Sequence, residues 1–408
     1  MPQRYPIYGT QKPNAGFEPA QGAIMKSTLR SVVRTTMGAT AAAVLSVLMA
    51  GAALAEKIKV VDLAGRSVEV EKGASRVILG EGRMMYSVAL LDRKDPFQRV
   101  IGWKDDLIKY DPDAYRKFKA KFPEQTEKVV NFGNPYSGDF SVEKVIAEKA
   151  DLVILDLGSH FKAQESGVIE NLAKVGVPVI FIDFRLNATE NTVPSLLLMG
   201  RVFDRQDNAQ EFIDYYTQQM RKVTLVADQI PADERPTVFI ENAAGWDKDA
   251  CCNTFGPYNF GRLVEQAGGN NWGSQRFSTY RGNVSLEAII ASQPDVIVGT
   301  GANWAEDRPE VSAVLLGYDA NEANNAKRLS DLAARSGFSD LKAVKDKRFH
   351  SIYHQFYNSP YHFVALQALA KWMHPDEFED VDPQATMAEL HEQFLPFDLS
   401  GQFWATLK

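Results

Sequence analysis

The sequence predicts an α/β protein with two Rossmann-like lobes, each built on a parallel sheet, joined by a single long α-helix. The first observation is a sequence pattern that occurs twice, at residues 141–154 and 285–298. In both copies Ser-x-Glu is followed by Ile-Ala and then by an Asp that precedes an apolar run. The second is an alternation of short apolar runs with helical stretches, typical of parallel sheets with right-handed crossovers. The third is an amphipathic helical stripe between the two groups of strands.

The duplicated phrase describes a short helix that leads through an aspartate into a buried strand. Ser141 and Ser285 are placed to cap a helix by accepting a backbone N–H. Glu143 and Glu287 then fall in the first turn, where the helix dipole favours a carboxylate. The apolar runs that follow are typical of strands buried on both faces of a parallel sheet. Two such units predict two lobes built on one plan.

The first lobe is expected to follow a small hairpin of strands 57–63 and 67–70. Its predicted strands lie at 77–79, 100–101, 152–155 and 179–182, with helices between them such as 84–91 and 165–174. Alternating strands and helices of this length predict a parallel sheet.

The connection between lobes is expected to be helical. Residues 193–202 form a short predicted helix with Pro194 near its start. A longer helix, capped by Asp204 or Asp207, follows, and its apolar residues recur at three- and four-residue steps as far as Ala227. A long helix that crosses once between lobes resists hinge bending, so we expect little closure on ligand binding.

The second lobe is expected to contain strands at 237–241, 296–299 and 349–353 and helices at 260–267, 286–291 and 364–372. Residues 320–339 are interpreted as an excursion between elements. The tail from His374 is expected to pack on the second lobe. The predicted organisation is therefore residues 1–55 as leader and signal peptide, 56–190 as the N-terminal lobe, 191–230 as linking helices, 231–373 as the C-terminal lobe and 374–408 as the tail.

The N-terminal region has the features of an export signal. Lys26, Arg30 and Arg34 precede an Ala-rich apolar run at 37–54, and Ala-Leu-Ala at 53–55 is a small-x-small cleavage site. The run is short for a membrane anchor, no cysteine follows it, and no arginines are paired, so a retained span, a lipoprotein and twin-arginine export are disfavoured. Residues 1–24 are an unstructured leader or an over-extended start.

Charge argues against nucleic acid as a partner. The chain has a net charge of −7, and removal of residues 1–55, with five basic residues and one acid, makes the mature charge −11. An acidic surface repels a polyanion. A soluble monomer is expected.

The order and spacing of several phrases resemble those of periplasmic binding proteins that serve ABC importers of ferric siderophores, haem and cobalamin. The resemblance covers nearly all of the chain after residue 55. Besides the duplicated phrase, it rests on Arg76-Val-Ile-Leu79, Gly176-Val-Pro-Val-Ile180, the stretch from Gly261 to Asn270, and Val344-Lys-Asp-Lys-Arg348. It implies a periplasmic carrier that hands a metal chelate to an inner-membrane ABC permease. In that family a glutamate on each lobe meets an arginine pocket on the permease, and Glu143 and Glu287 match those positions; alternatively both are ordinary N-terminal acids of helices.

Ligands of open parallel sheets bind outside the carboxyl ends of the strands, so the loops after the strands are expected to form a cleft. Arginines in these loops suit carboxylate or catecholate oxygens, and rings offer stacking area to an organic chelate. We predict a ferric chelate as the ligand, with haem or a corrinoid as the alternative cargo. The candidate ligand-binding residues are Arg83, Trp103, Tyr136, Arg185, Trp246, Tyr258, Tyr280, Arg281, Trp304, Tyr353 and Tyr357.

The six histidines and two cysteines give no metal-site spacing. A zinc site needs three or four clustered ligands, and the histidines form no such cluster. We therefore expect no bound metal ion and no resident cofactor, although Tyr353-His354 and Tyr361-His362 offer an axial ligand to a haem iron. Cys251 and Cys252 either stay free or pair with each other in an oxidising compartment.

An enzyme is the competing class, because fold alone does not fix function. The sequence contains no G-x-S-x-G, H-E-x-x-H or P-loop, and Gly80-Glu-Gly82 lacks the third glycine of a dinucleotide fingerprint. Cys251 has no base indicated nearby. We predict that the protein is not an enzyme; an enzyme that processes a bound siderophore is the less favoured alternative.

Overall fold

The computed structural model describes residues 56–137, 139–247, 251–305 and 308–408. The leader and signal peptide predicted at 1–55 lie outside the described residues. Among the described helices, none is both long and apolar enough to cross a membrane.

The first lobe is a five-stranded parallel sheet preceded by a hairpin. The hairpin pairs β1 with β2 in antiparallel register, and the sheet has the order β5-β4-β3-β6-β7 with every neighbour parallel. The strands are β1 Lys57–Val61, β2 Ser67–Glu71, β3 Val77–Leu79, β4 Val100–Trp103, β5 Val130–Asn131, β6 Leu152–Asp156 and β7 Val179–Ile182. The helices are α1 Met85–Leu91, α2 Asp106–Tyr110, α3 Pro112–Lys121, α4 Pro123–Lys128, α5 Val142–Ala147, α6 His160–Glu165 and α7 Val168–Lys174.

Two helices connect the lobes: α8, Ala188–Phe203, and α9, Gln206–Ala227. Helix α8 begins before the predicted start, since the carbonyl of Asn187 already accepts the N–H groups of Glu190 and Asn191, and Pro194 therefore lies inside the helix. Neither predicted aspartate caps α9, because Arg205 occupies the N-cap position. The predicted stripe is confirmed, because each of its apolar residues is buried: Ala209, Phe212, Ile213, Tyr216, Met220, Val223 and Ala227.

The second lobe has a mixed sheet around three parallel strands. Strands β8, β12 and β13 are parallel neighbours, β10 adds in parallel to the start of β8, and β9, β11 and β14 are antiparallel additions. The strands are β8 Thr237–Glu241, β9 Asn253–Phe255, β10 Asn270–Asn271, β11 Arg281–Asn283, β12 Val296–Gly301, β13 Phe349–Tyr353 and β14 Trp404–Thr406. The helices are α10 Phe260–Gln266, α11 Leu286–Ser292, α12 Glu322–Ala333, α13 Lys342–Lys345, α14 His362–Met373 and α15 Pro383–Phe394.

The duplicated phrase forms equivalent units in the two lobes, α5–β6 and α11–β12. The hydroxyl of Ser141 accepts the Lys144 N–H at 3.2 Å, and that of Ser285 accepts the Ala288 N–H at 3.3 Å. Both predicted caps are therefore present. The N-terminal part of α5 lies at the carboxyl edge of its sheet, because Nζ of Lys144 donates to the carbonyl of Asn131 at the end of β5, and α11 holds the equivalent position before β12.

Residues 320–339 were predicted as an excursion, but they contain the twelve-residue helix α12. Asn321 caps it by accepting the Asn324 N–H at 3.0 Å, and its buried face includes Leu329 and Leu332. This segment is rich in Asn, Ala and charged residues, so its amphipathic helical pattern was not recognised from the sequence.

The tail joins the second lobe through β14, which pairs with β13. It also reaches the first lobe, because the ring of Phe397 lies 5.1 Å from that of Phe118. One apolar core runs through both lobes, both connecting helices and the tail. Lobes that share a core are held in one arrangement by packing.

Candidate functional site

The carboxyl ends of the two sheets border one cavity of about 470 Å³. Its wall combines cationic, aromatic and amide side chains from both lobes: Arg83, Tyr110, Arg185, Asn242, Ala243, Trp246, Tyr280, Arg281, Trp304, His354 and Tyr357. Seven of the eleven predicted ligand-binding residues are in this wall. A polar and aromatic cavity of this size at the carboxyl ends of parallel strands is where a small ligand binds.

Aromatic rings form one continuous side of the cavity. Trp246 and Trp304 meet edge to face with ring centres 5.0 Å apart, and Trp304 lies 5.1 Å from the ring of His354. His354 in turn lies 4.5 Å from Tyr357. The indole N–H of Trp304 donates to the carbonyl of Tyr110 at 3.2 Å, which fixes the ring against the first lobe.

Arg83 is held from both lobes. Its Nε donates to Asp106 Oδ2 at 2.6 Å, and its Nη1 donates to Gln355 Oε1 at 3.1 Å and to the Tyr357 hydroxyl at 2.6 Å. Burial alone would lower the pKa of Arg83, but Tyr357, Asp106 and Glu81 raise it above its usual value. The guanidinium is therefore permanently charged and rigidly placed.

A glycine makes this placement possible. A Cβ on Gly82 would lie 2.8 Å from the carbonyl oxygen of Lys104, so a side chain cannot fit there. The chain after β3 can thus pass close to the chain after β4. This brings Arg83 to Asp106, whose Oδ1 also accepts the Gly82 N–H at 2.6 Å.

Arg185 follows β7 and is paired with Glu81, which follows β3. Burial raises the pKa of Glu81, but Arg185, Arg83 and Lys104 together hold it below its ordinary value. The Arg185 carbonyl accepts Nδ2 of Asn259 from the second lobe. The Arg185–Glu81 pair is thus anchored across the lobes.

Arg281, on the edge strand β11, differs from these two arginines because its side chain is exposed. Among the described residues no carboxylate lies within ion-pair distance of it. Arg281 is therefore the cavity's least neutralised cation.

Four predicted ligand-binding residues lie outside the cavity wall. Trp103 is 2% exposed and packs against Phe97 and Tyr115 in the core, because the β4 strand extends to include it. The Tyr136 hydroxyl accepts the Asp156 N–H at 3.2 Å beneath the sheet edge. Tyr258 borders a separate groove next to α8. The Tyr353 hydroxyl donates to Asp111, joining the lobes rather than facing ligand.

The wall also includes residues that were not among the predicted set. Tyr110 ends helix α2, away from any strand end, and no sequence signal marked it. Asn242 and Ala243 directly follow β8, where the strand-end rule applies. His354 directly follows β13; its Nδ1 lies 2.9 Å from the Thr300 hydroxyl, and burial with Arg83, Arg281 and Arg185 lowers its pKa to about 3. It presents a neutral imidazole, whereas His362 is buried against Tyr216 between helices.

Cys251 and Cys252 are joined to each other in a disulfide at the start of β9. Their sulfurs lie within 4.8 Å of a carboxylate oxygen of Glu241, the one three-residue cluster of potential metal ligands among the described residues. Arg335 binds both oxygens of Glu241, at 2.7 and 2.5 Å. The two sulfurs are thus bonded to each other, and both carboxylate oxygens of Glu241 are bonded to Arg335.

Glu143 and Glu287 are exposed in the first turns of α5 and α11. The pKa of Glu287 is lowered by hydrogen bonds from its own backbone N–H and from the Ser285 hydroxyl. Both glutamates therefore occupy equivalent places, at the carboxyl edge of one sheet in each lobe.

Two α/β lobes, connecting helices and a polar cavity at the facing strand ends define a two-lobed ligand-binding protein. The sequence profile described as periplasmic binding protein matches residues 101–354. The chain belongs to this family, whose members are substrate-binding proteins that deliver small-molecule ligands to ABC permeases and work in the periplasm. Comparison with curated proteins gives no match.

Solved structures of the same fold cover most of the chain. A TroA-like periplasmic binding protein, FepB of Veillonella parvula, is 27% identical with a TM-score of 0.78, covering 86% of this chain and 100% of its own. The molybdate-binding MolA of Haemophilus influenzae is 17% identical with a TM-score of 0.64, covering 84% and 99%. The heme-binding RhuT of Roseiflexus sp. RS-1 is 17% identical with a TM-score of 0.51, covering 75% and 100%.

Proposed function

We propose that this protein captures an anionic ferric chelate of the siderophore type in the inter-lobe cavity and delivers it to an ABC importer. The observation that carries the proposal is the exposed guanidinium of Arg281 beside a wall of aromatic rings, with Arg83 and Arg185 deeper in the same cavity. The family membership supports the delivery step, as does the likeness to FepB of V. parvula, a periplasmic binding protein of the same fold.

The chemistry of the wall favours a large organic anion over a bare metal ion. A bare cation would meet three guanidinium groups, whereas an anionic chelate finds charge-assisted hydrogen-bond donors. Trp246, Trp304 and Tyr357 offer ring faces and edges to the flat groups of a chelator. The cavity is large enough for a ligand of several rings.

Haem is the second candidate, because one observation favours it. His354 presents a neutral imidazole in the cavity, and such a ring is an axial ligand for haem iron. RhuT, of the same fold, is named a heme-binding protein. The arginines would then pair with the haem propionates. A corrinoid offers fewer anionic groups to these arginines.

Delivery requires a docking surface, and we place it at Glu143 and Glu287. Both are exposed first-turn acids at the carboxyl edges of the sheets, one on each lobe, so together they flank the cavity. Export through cleavage after residue 55 belongs to the same proposal. The disulfide between Cys251 and Cys252 is consistent with an oxidising compartment.

The test is to purify the protein from the periplasm of iron-starved cells and weigh it by native mass spectrometry. We expect one iron-containing chelate per chain, released intact. A ferric tris-catecholate added to the ligand-free protein should quench tryptophan fluorescence with 1:1 stoichiometry and no turnover. A sharp Soret change with haem and no response to ferric chelates would favour the second candidate, and catalytic release of iron would favour the enzyme.

A further inference from the structure

Beneath Arg185 lies a buried group of charges that ligand capture does not by itself explain. A small cavity of about 20 Å³ is enclosed by Glu81, Arg83, Ser87, Asp156, Arg185 and Asn358, among others. Asp156, at the end of β6, is 5% exposed, and its Oδ1 has no hydrogen-bond partner among the described residues. Nε of Arg185 is unpartnered as well. The space suffices for about one water molecule.

The ion pairs in this group leave one carboxyl unpaired. Glu81 is paired with Arg185, and Asp106 with Arg83. Asp156 remains as a third buried carboxyl without a guanidinium bonded to it. An unpaired buried carboxylate is costly enough that the group takes up a proton instead.

Asp183, directly after β7, differs from Asp156 in its hydrogen bonds. The backbone N–H groups of residues 185–187 and the Asn191 amide donate to Asp183 at 2.7–2.9 Å. The titratable and charged groups that act on Asp156 or line the same small cavity are Glu81 and Arg83 after β3, Tyr136 before α5, Asp183 and Arg185 after β7, and Tyr280 from the second lobe.

Burial, with Glu81 and Asp183, raises the pKa of Asp156 to about 7, against the opposing effect of Arg185. Burial also raises the pKa of Asp106, but Asp106 accepts two hydrogen bonds of 2.6 Å, from Gly82 and Arg83, which Asp156 lacks. The geometry therefore selects Asp156 as the residue that gains or loses the proton.

We propose that Asp156 is a positioning residue whose proton sets how much of the positive charge of Arg185 the ligand cavity presents to an anion. This inference rests on the proposed capture of an anionic chelate. With Asp156 ionised, its negative charge adds to that of Glu81, and both offset the positive charge of Arg185. With Asp156 protonated, Arg185 is opposed by Glu81 alone and attracts the ligand more strongly.

The sign of the linkage follows. An anion beside Arg185 cancels part of the field that keeps Asp156 ionised, so binding draws a proton onto Asp156. Affinity therefore increases as the pH falls from about 8 to about 6, by at most about tenfold per pH unit for one linked proton. Below that range Asp156 is already protonated, and its contribution to the pH dependence ends.

The first experiment needs no ligand. Carbon-13 spectra of the aspartate carboxyls in the ligand-free protein are recorded across pH, and Asp156→Asn identifies the resonance of Asp156. We expect a midpoint near the pKa of about 7. A midpoint near the ordinary aspartate value of about 4 would overturn the proposal, whatever the protein binds.

The second experiment measures proton uptake by calorimetry with a ferric tris-catecholate, in two buffers of different ionisation enthalpy at pH 7.5. On binding, the wild type should take up a larger fraction of a proton than Asp156→Asn. The chelate affinity of the variant should no longer depend on pH between 6 and 8. Glu165→Gln, an exposed carboxyl of the same lobe, is the matched control and should behave as the wild type.

Equal uptake by the wild type and Asp156→Asn would overturn the proposal while leaving chelate binding intact. If neither protein binds the chelate, the proposed function fails instead, and the carboxyl titration alone decides the role of Asp156. Asn replaces Asp with the same shape and mimics the protonated carboxyl, so the variant is expected to fold.

Discussion

Arg83 of the first lobe donates to the hydroxyl of Tyr357 of the second lobe across 2.6 Å, inside the cavity wall. The same guanidinium is bonded to Asp106, and both side chains of that pair are at most 7% exposed. Arg83 therefore joins the two lobes and also lines the cavity. Arg281, exposed and without an ion pair among the described residues, lines the cavity only.

The two arginines should respond differently to truncation. Arg83→Ala leaves Asp106 buried and unpaired, and we expect the free energy of unfolding to fall by about 3–5 kcal/mol. Arg281→Ala should change it by less than about 0.5 kcal/mol, yet weaken chelate binding about tenfold, the equivalent of about 1.4 kcal/mol in one charge-assisted contact. Urea unfolding and fluorescence titration measure the two quantities. Equal stability of both variants would contradict this assignment.

Tryptophan fluorescence separates the cavity from the core. Trp246 and Trp304 line the cavity, whereas Trp103 is buried against Phe97. Replacing either of the first two by Phe should reduce the quenching caused by a ferric chelate, since the quenched emitter is removed. Trp103→Phe is the matched control and should keep the full fractional response. A loss of quenching only in the Trp103 variant would place the ligand elsewhere.

Buried histidines predict a loss of stability in acid. Burial lowers the pKa of His350 and His354 to about 3 and of His362 and His391 to about 4. The unfolded chain therefore binds more protons than the folded protein at these histidines between about pH 4 and 6.5, so their contribution to stability falls as pH falls through that range.

Asp111 acts in the opposite direction. Burial raises its pKa to about 7, against hydrogen bonds from Tyr353 and Tyr86, so the folded state binds its proton more tightly than the unfolded state. Its contribution to stability is present at low pH and is lost as pH rises towards 7. Asp111→Asn removes this contribution, which in the wild type opposes that of the histidines. Denaturant titrations from pH 4 to 7 should therefore show that the free energy of unfolding falls more steeply with decreasing pH in the variant than in the wild type. An unchanged slope would contradict the shifted titration.

The cysteine pair makes a chemical prediction. Because Cys251 and Cys252 are bonded to each other, iodoacetamide should leave the denatured, unreduced protein unlabelled and add two labels after reduction. Intact mass spectrometry distinguishes the outcomes. Quantitative labelling of both thiols without reductant would show that the pair is free.

The docking role of Glu143 and Glu287 is tested by charge reversal. Glu143→Lys and Glu287→Lys should reduce chelate uptake by cells and leave chelate affinity unchanged, because both side chains are exposed and neither lines the cavity. Glu170→Lys, an exposed acid in the first turn of α7, is the matched control. Normal transport by the double variant would show that the permease docks elsewhere.

Much of the fold followed from local pattern. The strands at 77–79, 179–182, 237–241 and 349–353 have their predicted bounds, and the apolar stripe of α9 is buried as expected. The start of α8 was missed because hydrogen bonds to Asp183 and Asn187 order the chain upstream of Pro194, and no periodicity marks those bonds. Helix α12 was missed because its polar face is long and its buried face narrow.

Part of the candidate site, like part of the fold, was also predicted from local sequence. Strand-end position selected Arg83, Arg185, Trp304 and Tyr357, since the carboxyl ends of parallel strands share an edge. The same rule misplaced Trp103, because β4 extends two residues beyond its predicted end and includes Trp103, whose indole is buried in the core. Whether a loop ring packs inward or lines a cavity depends on neighbours far away in the chain.

The sequence by itself determined the two-lobed plan, its helical connection and the sheet edge where the polar cavity lies, because short-range periodicity and one duplicated phrase encode them. Only the tertiary structure decided which arginines are neutralised. Glu81 and Arg185 are 104 residues apart, and Arg83 and Tyr357 are 274 apart, yet each pair is in contact. The charge that a cavity offers to its ligand is set by such long-range pairing, and no local pattern contains it.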